Sequence, residues 1–349
     1  MSKYKITLTP NDWFFFGGEQ TFDNGSSQSF IAHSNRYPQQ TALLGMVRYQ
    51  LLKQAQLLTI PGKSQSIEET DKAKSLIGNS SFALDNTEEQ KYGVINNISP
   101  VFIQFNDQQL LPMPFTHGAT ISFSAFDDGL KMCMNGAVKE CVPYISSLDP
   151  ENYSNPDKLV DANGKEYLLE DIFFSSMKIG ITKAQDGDNN EDGFFTQETL
   201  RFSHNQTSFV FFLDLKDGYT IKSDVVFIGA QRSCFQMDVS ICDSPLFVPT
   251  HPEHTILICS PTYIDDIDAL NNCCFFQWTR SMPFRNIIQA ENGRLKSGVV
   301  SYHRYSAVST FLTPGSVLFF KPEERGALEK MLANKNLDTI GYNKYHINE

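Results

Sequence analysis

Two segments, Asp12-Trp-Phe-Phe-Phe-Gly-Gly-Glu-Gln-Thr-Phe22 and Tyr37-Pro-Gln-Gln-Thr-Ala-Leu-Leu-Gly-Met-Val-Arg-Tyr-Gln-Leu-Leu52, decide how the chain is read. Ile6 and Leu8 alternate with polar residues and lead into the aromatic run Trp13 to Phe16, which predicts a buried strand. Gly17 and Gly18 then end it, because a glycine pair admits positive φ and leaves backbone N–H groups uncovered. Pro38 suits the first turn of a helix, where its missing N–H costs nothing. From Thr41 onward Leu44, Val47 and Leu51 share one helical stripe, with Leu43 and Met46 beside it. Gly45 inside that helix costs about 1 kcal/mol relative to alanine; close packing on a sheet would explain it. Strand, bare turn and helix N-terminus together can hold a phosphate. The same series can equally be a plain βα unit.

Outward from this stretch, 349 residues allow two domains, or one with large insertions. No apolar run approaches the roughly 20 residues of a membrane helix. No apolar region follows the basic start Met-Ser-Lys-Tyr-Lys, so the expected location is the cytoplasm. The seven cysteines are odd in number and lack any Cys-x-x-Cys, which excludes a disulfide framework or zinc ribbon and predicts small buried thiols. The net charge of −11 argues against a nucleic-acid partner, but its distribution does not. Residues 1–58 hold five basic and three acidic side chains, and residues 277–349 hold ten and six. Residues 149–200 hold four and twelve. Basic ends meeting in space would give one polyanion-binding side on an acidic body; uneven charge without purpose reads equally well.

Along the chain, Thr59 to Lys91 is a polar insertion with a helix near Glu68–Leu76. Val101 to Phe105 is a strand, Asn106-Asp107 a turn, and Leu110 to Pro114 an edge-like return. Ile121 to Phe126 and Lys131 to Met134 form a hairpin. Asp149 to Lys165 is loop, Tyr167 to Phe174 a short helix or strand, and Met177 to Thr182 a strand. Asp186-Gly-Asp-Asn-Asn-Glu-Asp-Gly193 lacks the sixth-position glycine and twelfth-position glutamate of a calcium loop, and reads as an exposed tip. Strands follow at Phe194–Phe202, Phe209–Leu215, Asp224–Ile228, Gln236–Ile241 and Ile256–Cys259, then a helix at Ile264–Asn271. Val308–Phe311 and Val317–Phe320 read as a hairpin, Glu323–Leu332 as a helix, and Leu337–Ile347 as a strand interrupted at Gly341. Short strands and few helices make an α+β chain with antiparallel sheets.

Nucleophile elbows, Walker loops, His-Glu-x-x-His and dinucleotide fingerprints are absent. His251-Pro-Glu-His254 has no third ligand and reads as a turn rather than zinc. His33, His117, His204, His303 and His346 are scattered, so the residues alone define no enzyme class. Basic and aromatic residues interleave near the end: Arg294, Lys296, Tyr302, His303, Arg304, Tyr305, Tyr342, Lys344 and Tyr345. That mixture suits unpaired RNA, with rings stacking on bases and cations meeting phosphates; it also suits ordinary strands with exposed charges.

The order of these segments resembles the RAMP superfamily of CRISPR effector proteins, in particular the third subunit of the type III-B (Cmr) complex. The resemblance is carried by Asp12–Phe22; by Tyr37–Leu52 with its Gly45-x-x-Arg48; and by Ser99–Ile103 with Leu111-Pro-Met-Pro-Phe115. It continues through Ile179-Gly-Ile-Thr182, Phe195–Phe202, Phe227-Ile-Gly-Ala-Gln-Arg232, Thr313–Phe320 and Ile340-Gly-Tyr-Asn343. Gly18 and Gln20 stand where the family often has charged residues, and Ala230 where it has glycine. The resemblance implies two ferredoxin-like (RRM-like) domains with insertions. Residues 1–190 form the first, with a polar loop at about 59–95 and an acidic loop at about 149–193; residues 191–349 form the second, ending in a glycine-rich loop. It implies a non-catalytic subunit in antiviral defence that holds the 5′ handle of the guide RNA. That subunit docks the large polymerase-palm subunit beside backbone RAMP subunits, with no metal or cofactor. RNA-binding candidates are then Gly17 and Gly18, Gln39, Gln40 and Thr41 at the helix start, Arg48, Arg201 and Arg232, and Gly341, Tyr342, Asn343 and Lys344. For each arginine, an internal ion pair is the competing role. Two other readings remain: a metal-independent RAMP endoribonuclease with His33 or His204 as base, and a protein-only assembly adaptor.

Overall fold

Two copies of one strand–helix pattern organise the chain. A computed structural model describes residues 2–22, 30–59, 65–79, 81–84, 88–119, 121–126, 129–134, 137–140, 158–181, 194–229, 232–242, 245–295 and 298–348. The first copy has β1 (Ser2–Pro10), α1 (Gln40–Gln54), β2 (Phe102–Phe105), β3 (Thr207–Leu215) and β4 (Ser233–Ile241). Its sheet order is β2-β3-β1-β4, and each of these pairs is antiparallel. The second copy has β5 (Thr255–Ile258), α2 (Ile267–Cys273), β6 (Cys274–Trp278), β7 (Val317–Phe320), α3 (Arg325–Leu332) and β8 (Tyr345–Asn348). Its order β6-β7-β5-β8 is the same, again antiparallel throughout. Both are ferredoxin-like, so the α+β, mainly antiparallel expectation holds. In the first copy no second helix lies between β3 and β4 among the described residues. Strand Asp224–Ile228 lies there instead and extends the sheet beyond β4. The sheet that begins with β1 thus takes strands from both sides of residue 190.

Burial follows the sequence pattern. Tyr4, Ile6 and Leu8 of β1 point into the core, with polar residues between them. β3 is buried on both faces from Phe209 to Leu213, which its continuous run Phe-Val-Phe-Phe-Leu anticipates. Helix α1 buries Leu43, Leu44, Met46, Val47 and Leu51, the stripe read from the sequence. Gly45 lies on the opposite, exposed face, and a Cβ there would meet nothing within 4 Å, so sheet packing is not its explanation. The helix in the polar insertion spans Ile67–Ile77, opened by a capping box between Ser66 and Glu69.

Three local readings change. The opening strand ends at Pro10, and residues 13–16 form no continuous strand. Only Phe14 bridges, to Leu200, and Gly17 and Gly18 begin the next strand, Gly17–Phe22. Phe14, Phe15 and Phe16 are all buried. Phe14 wedges among Phe16, Phe173, Phe202, Phe209 and Phe235, with centroids 5.0–6.4 Å away. Next, Ser309–Leu312 and β7 are not a hairpin: Ser309–Leu312 pairs with Ser281–Phe284, whereas β7 pairs with β5 and β6. The turn between them lies against Phe115, whose N–H donates to the Gly315 carbonyl at 2.9 Å. Third, of the strand read at Leu337–Ile347 only the end forms, in β8, and Leu337 and Asp338 belong to the short helix Lys335–Asp338 capped by the Asn334 side chain. The 186–193 turn and Lys296 lie outside the described residues.

The two copies are joined at the N-terminal turn of α1. Gln40 is buried at 3 % exposure, and its Nε2 donates to the carbonyls of Ser99 and Ile340, both at 2.8 Å. Its Oε1 accepts from the Val101 N–H at 3.2 Å. Gly341 has φ +89°, and a Cβ there would run into Gln40 Nε2 and the Ser99 carbonyl. Replacing Gln40 by alanine strands three backbone groups in a buried interface, so unfolding free energy should drop by about 3 kcal/mol in urea titration. Gly341→Ala should destabilise comparably, since the left-handed backbone and the collision act together.

Candidate nucleic-acid interface

The segment Asn11–Phe16 lies between two parts of the chain far away in sequence. On one side Phe14 exchanges backbone hydrogen bonds with Leu200, at 2.8 and 2.9 Å. On the other, the Phe15 N–H donates to Ser233 Oγ at 3.0 Å, and the Asn11 N–H to the Cys234 carbonyl. Gly229, with φ +93°, packs its Cα against the Phe15 carbonyl, where no side chain fits. The opening stretch, the strand with Arg201 and the turn with Arg232 are therefore one neighbourhood.

Both arginines are exposed and meet rings rather than carboxylates. The Arg201 guanidinium carbon is 4.9 Å from the centroids of both Trp13 and Phe174. Phe174 pairs directly with Arg201 across strands Phe173–Ile181 and Phe194–Phe202. Lys178, on the same face two positions past Ser176, sets its Nζ 5.3 Å from the Trp13 ring. Arg232, at φ +53°, lies 5.4 Å from Phe227. Phe174 and Phe227 are each about half exposed, at 50 % and 51 %. Sequence reading missed Trp13, Phe174 and Lys178 as surface groups. Which parity of strand 173–181 faces outward depends on the core, and the sequence does not state it.

The other expected contacts have varied surroundings. Gly17 is exposed, and its carbonyl accepts from Asn35 Nδ2 at 2.7 Å. At Gly18 a Cβ would lie 2.7 Å from the His33 carbonyl, so strand pairing accounts for the glycine. Gln39 is the N-cap of α1 without a side-chain cap bond. Thr41 and Gln40 face the Tyr342 hydroxyl, which sits beside this turn without a hydrogen bond of good geometry. Tyr342 is only 2 % exposed, among Phe82, Phe284 and Phe311, and burial pushes its phenol pKa up. Asn343 is equally enclosed; its Nδ2 donates to Tyr263 and Leu332 carbonyls at 3.0 Å. Gly341, Tyr342 and Asn343 thus pack on α1 and on their own unit. The Lys344 backbone is bonded to Cys259 and Ser260.

Arg48 lies over Tyr92 at 5.4 Å, and its Nε and Nη2 are buried without hydrogen-bond partners. Burial lowers its pKa, with the Tyr92 phenol acting in the opposite direction. The internal ion pair weighed for the three arginines is not formed by any of them among the described residues. Of the histidines, His33 Nδ1 is 3.2 Å from Glu198 Oε2 at a half-exposed position, and His204 packs on Phe105. His251 is buried and not next to His254 in function: its Nδ1 faces Thr255 Oγ1 at 2.7 Å and its Nε2 faces His346 Nδ1 at 3.0 Å. Thr255 gives its own proton to the Pro252 carbonyl, so His251 Nδ1 donates to Thr255 and Nε2 accepts from His346. No group of three metal-capable side chains occurs among the described residues. Strands Ile287–Leu295 and Gly298–Tyr305, which carry part of the basic–aromatic interleaving, pair as a two-stranded ribbon. No helix is long and apolar enough to cross a membrane among the described residues.

Residues 6–122, about a third of the chain, match the family described as CRISPR-associated protein (Cas_Cmr3). The fold is similar to a chain in the cryo-EM structure of the type III-B Cmr-beta complex bound to cognate target RNA. That similarity covers 98 % of this chain and 96 % of the other, at 15 % identity and a TM-score of 0.50. A chain of the same complex bound to target RNA and AMPPnP aligns over 97 % and 94 %, at 13 % identity and a TM-score of 0.45. No curated protein matches the sequence.

Two outcomes follow from this geometry. Burial, then His346, lowers the His251 pKa from 6.5 to about 4. The unfolded chain then binds a proton that the folded chain refuses, so stability is full above pH 6.5 and declines as pH falls towards 4. Denaturation at a series of pH values should show that decline, and it should shrink in His251→Asn. Arg48→Met should leave stability within about 1 kcal/mol or raise it, because two buried nitrogens without hydrogen-bond partners are replaced by an apolar chain that still packs on Tyr92.

Proposed function

We propose that this chain is a non-catalytic RNA-binding subunit of a type III-B CRISPR ribonucleoprotein. In this role it holds the 5′ handle of the guide RNA and docks the large polymerase-palm subunit beside backbone RAMP subunits. The observation that carries the reading is a double one. The family match lies on residues 6–122, the segment holding β1, the opening stretch, α1 and β2. The fold likeness to a chain of an RNA-bound type III-B complex extends over 98 % of the sequence. The two exposed arginines on rings beside the opening stretch supply contact chemistry for a polyanion that carries bases. Among the expected contacts, Gly17, Gln39, Arg201, Arg232 and Lys344 have surface to offer. Gln40, Gly341, Tyr342 and Asn343 are buried and hold the chain together instead.

The purified chain, incubated with repeat-derived RNA, should bind it without cutting it. Arg232→Ala should weaken binding several-fold across sequences and reduce the salt slope by about one. Unchanged affinity and slope in Arg232→Ala and Lys344→Ala together would remove the site assignment. Specific cleavage lost in His33→Ala would replace the reading with an endoribonuclease using the His33–Glu198 pair. An intact assembly without nucleic acid would make the chain a protein-only adaptor.

A further inference from the structure

Trp13, Phe174, Lys178 and Arg201 form a surface cluster with more cation and ring than the fold uses. Two positive charges attend one indole, Arg201 at 4.9 Å and Lys178 at 5.3 Å. Neither makes an ion pair among the described residues. The Phe174 ring centroid is 5.8 Å from that of Trp13, at 59°, so the rings are not stacked face to face. Arg201 contacts both rings, and as an exposed guanidinium it keeps N–H donors towards solvent. Phe174 belongs to Phe173–Ile181, an edge strand of its sheet, which leaves the rim open. The cluster is built on paired strands and on a segment held by the Phe14–Leu200 bridge, so its geometry is fixed before any ligand arrives.

We infer that this cluster is a stacking site for unpaired nucleotides, in which a base lies on Phe174 or the Arg201 guanidinium plane. The flanking phosphates then meet Lys178 and the free Arg201 N–H groups. A ligand for this surface must offer a flat ring and negative charge at short spacing, which a single-stranded nucleic acid does at every residue. A purely acidic peptide would satisfy the charges and leave Phe174 half exposed. The inference rests on the RNA-binding reading above and assigns it a place, joining Arg201 to Trp13, Phe174 and Lys178, which the sequence did not single out.

The chain has two tryptophans, and Trp278 is buried at 2 % exposure. Quenching by a short single-stranded oligouridine therefore reports Trp13, and Trp13→Phe should abolish it. Phe174→Ala should weaken oligouridine binding about ten-fold, whereas Phe174→Tyr keeps the ring and should retain affinity. Lys178→Ala should lower the salt slope by about one. Thermal melting of each variant separates loss of stacking from loss of fold. Three results would overturn the inference. Unquenched Trp13 with Phe174→Ala affinity intact, while the wild type binds RNA, removes the site and leaves the RNA-binding reading standing. No binding by the wild-type chain at all removes both. Phe174→Ala that weakens only protein assembly makes the cluster a subunit contact.

Discussion

One buried amide holds the architecture together. Gln40 opens α1, yet its side chain turns away from helix capping and bonds Ser99, Val101 and Ile340. It ties the first helix to the approach to β2 and to the end of the second unit. Each bond is worth about 1 kcal/mol net, but losing the amide leaves buried backbone groups without partners, which costs more. The nearby choices follow from it. Gly341 must be glycine because Gln40 fills the space of a Cβ. Tyr342 must be buried because its ring fills the space beside that turn. A helix N-terminus that could have faced a phosphate is instead covered by the chain itself.

A second constraint is the aromatic wedge at Phe14. Phe209 of β3 and Phe235 of β4 pack on it, as do Phe173 and Phe202 from the neighbouring sheet. Rings of this size bury large apolar areas and accept tilted contacts, so one side chain can join two sheets. Next to the wedge, half-buried Trp13 meets Arg201 at 4.9 Å and Phe174 at 5.8 Å. The cation–ring cluster thus adjoins the place where the core is closed.

The cysteines and buried histidine have quieter roles. Burial pushes the thiols of Cys259 and Cys274 up to about 12, so they stay protonated and act as small apolar residues. Burial, then His346, keeps His251 neutral, and its ring nitrogens meet Thr255 and His346 within the second unit.

The sequence alone determined the fold class, most strand and helix positions, and the apolar stripe of α1, because hydrophobic periodicity is a local signal. The stripe Leu44, Val47 and Leu51 needed no partner to be read, nor did the helix near Glu68–Leu76. It also placed Arg201 and Arg232 among the residues of interest. Only the tertiary structure decided that residues 13–16 are a wedge rather than a strand, since that depends on four rings from four distant segments. It alone decided that Gly341 and Tyr342 pack against α1, and that Trp13, Phe174, Lys178 and Arg201 share one surface. Contacts such as Phe14–Phe173, Trp13–Arg201 and Gln40–Ile340 join residues more than 150 positions apart, and no local pattern along a chain encodes which distant side chain will fill a given space.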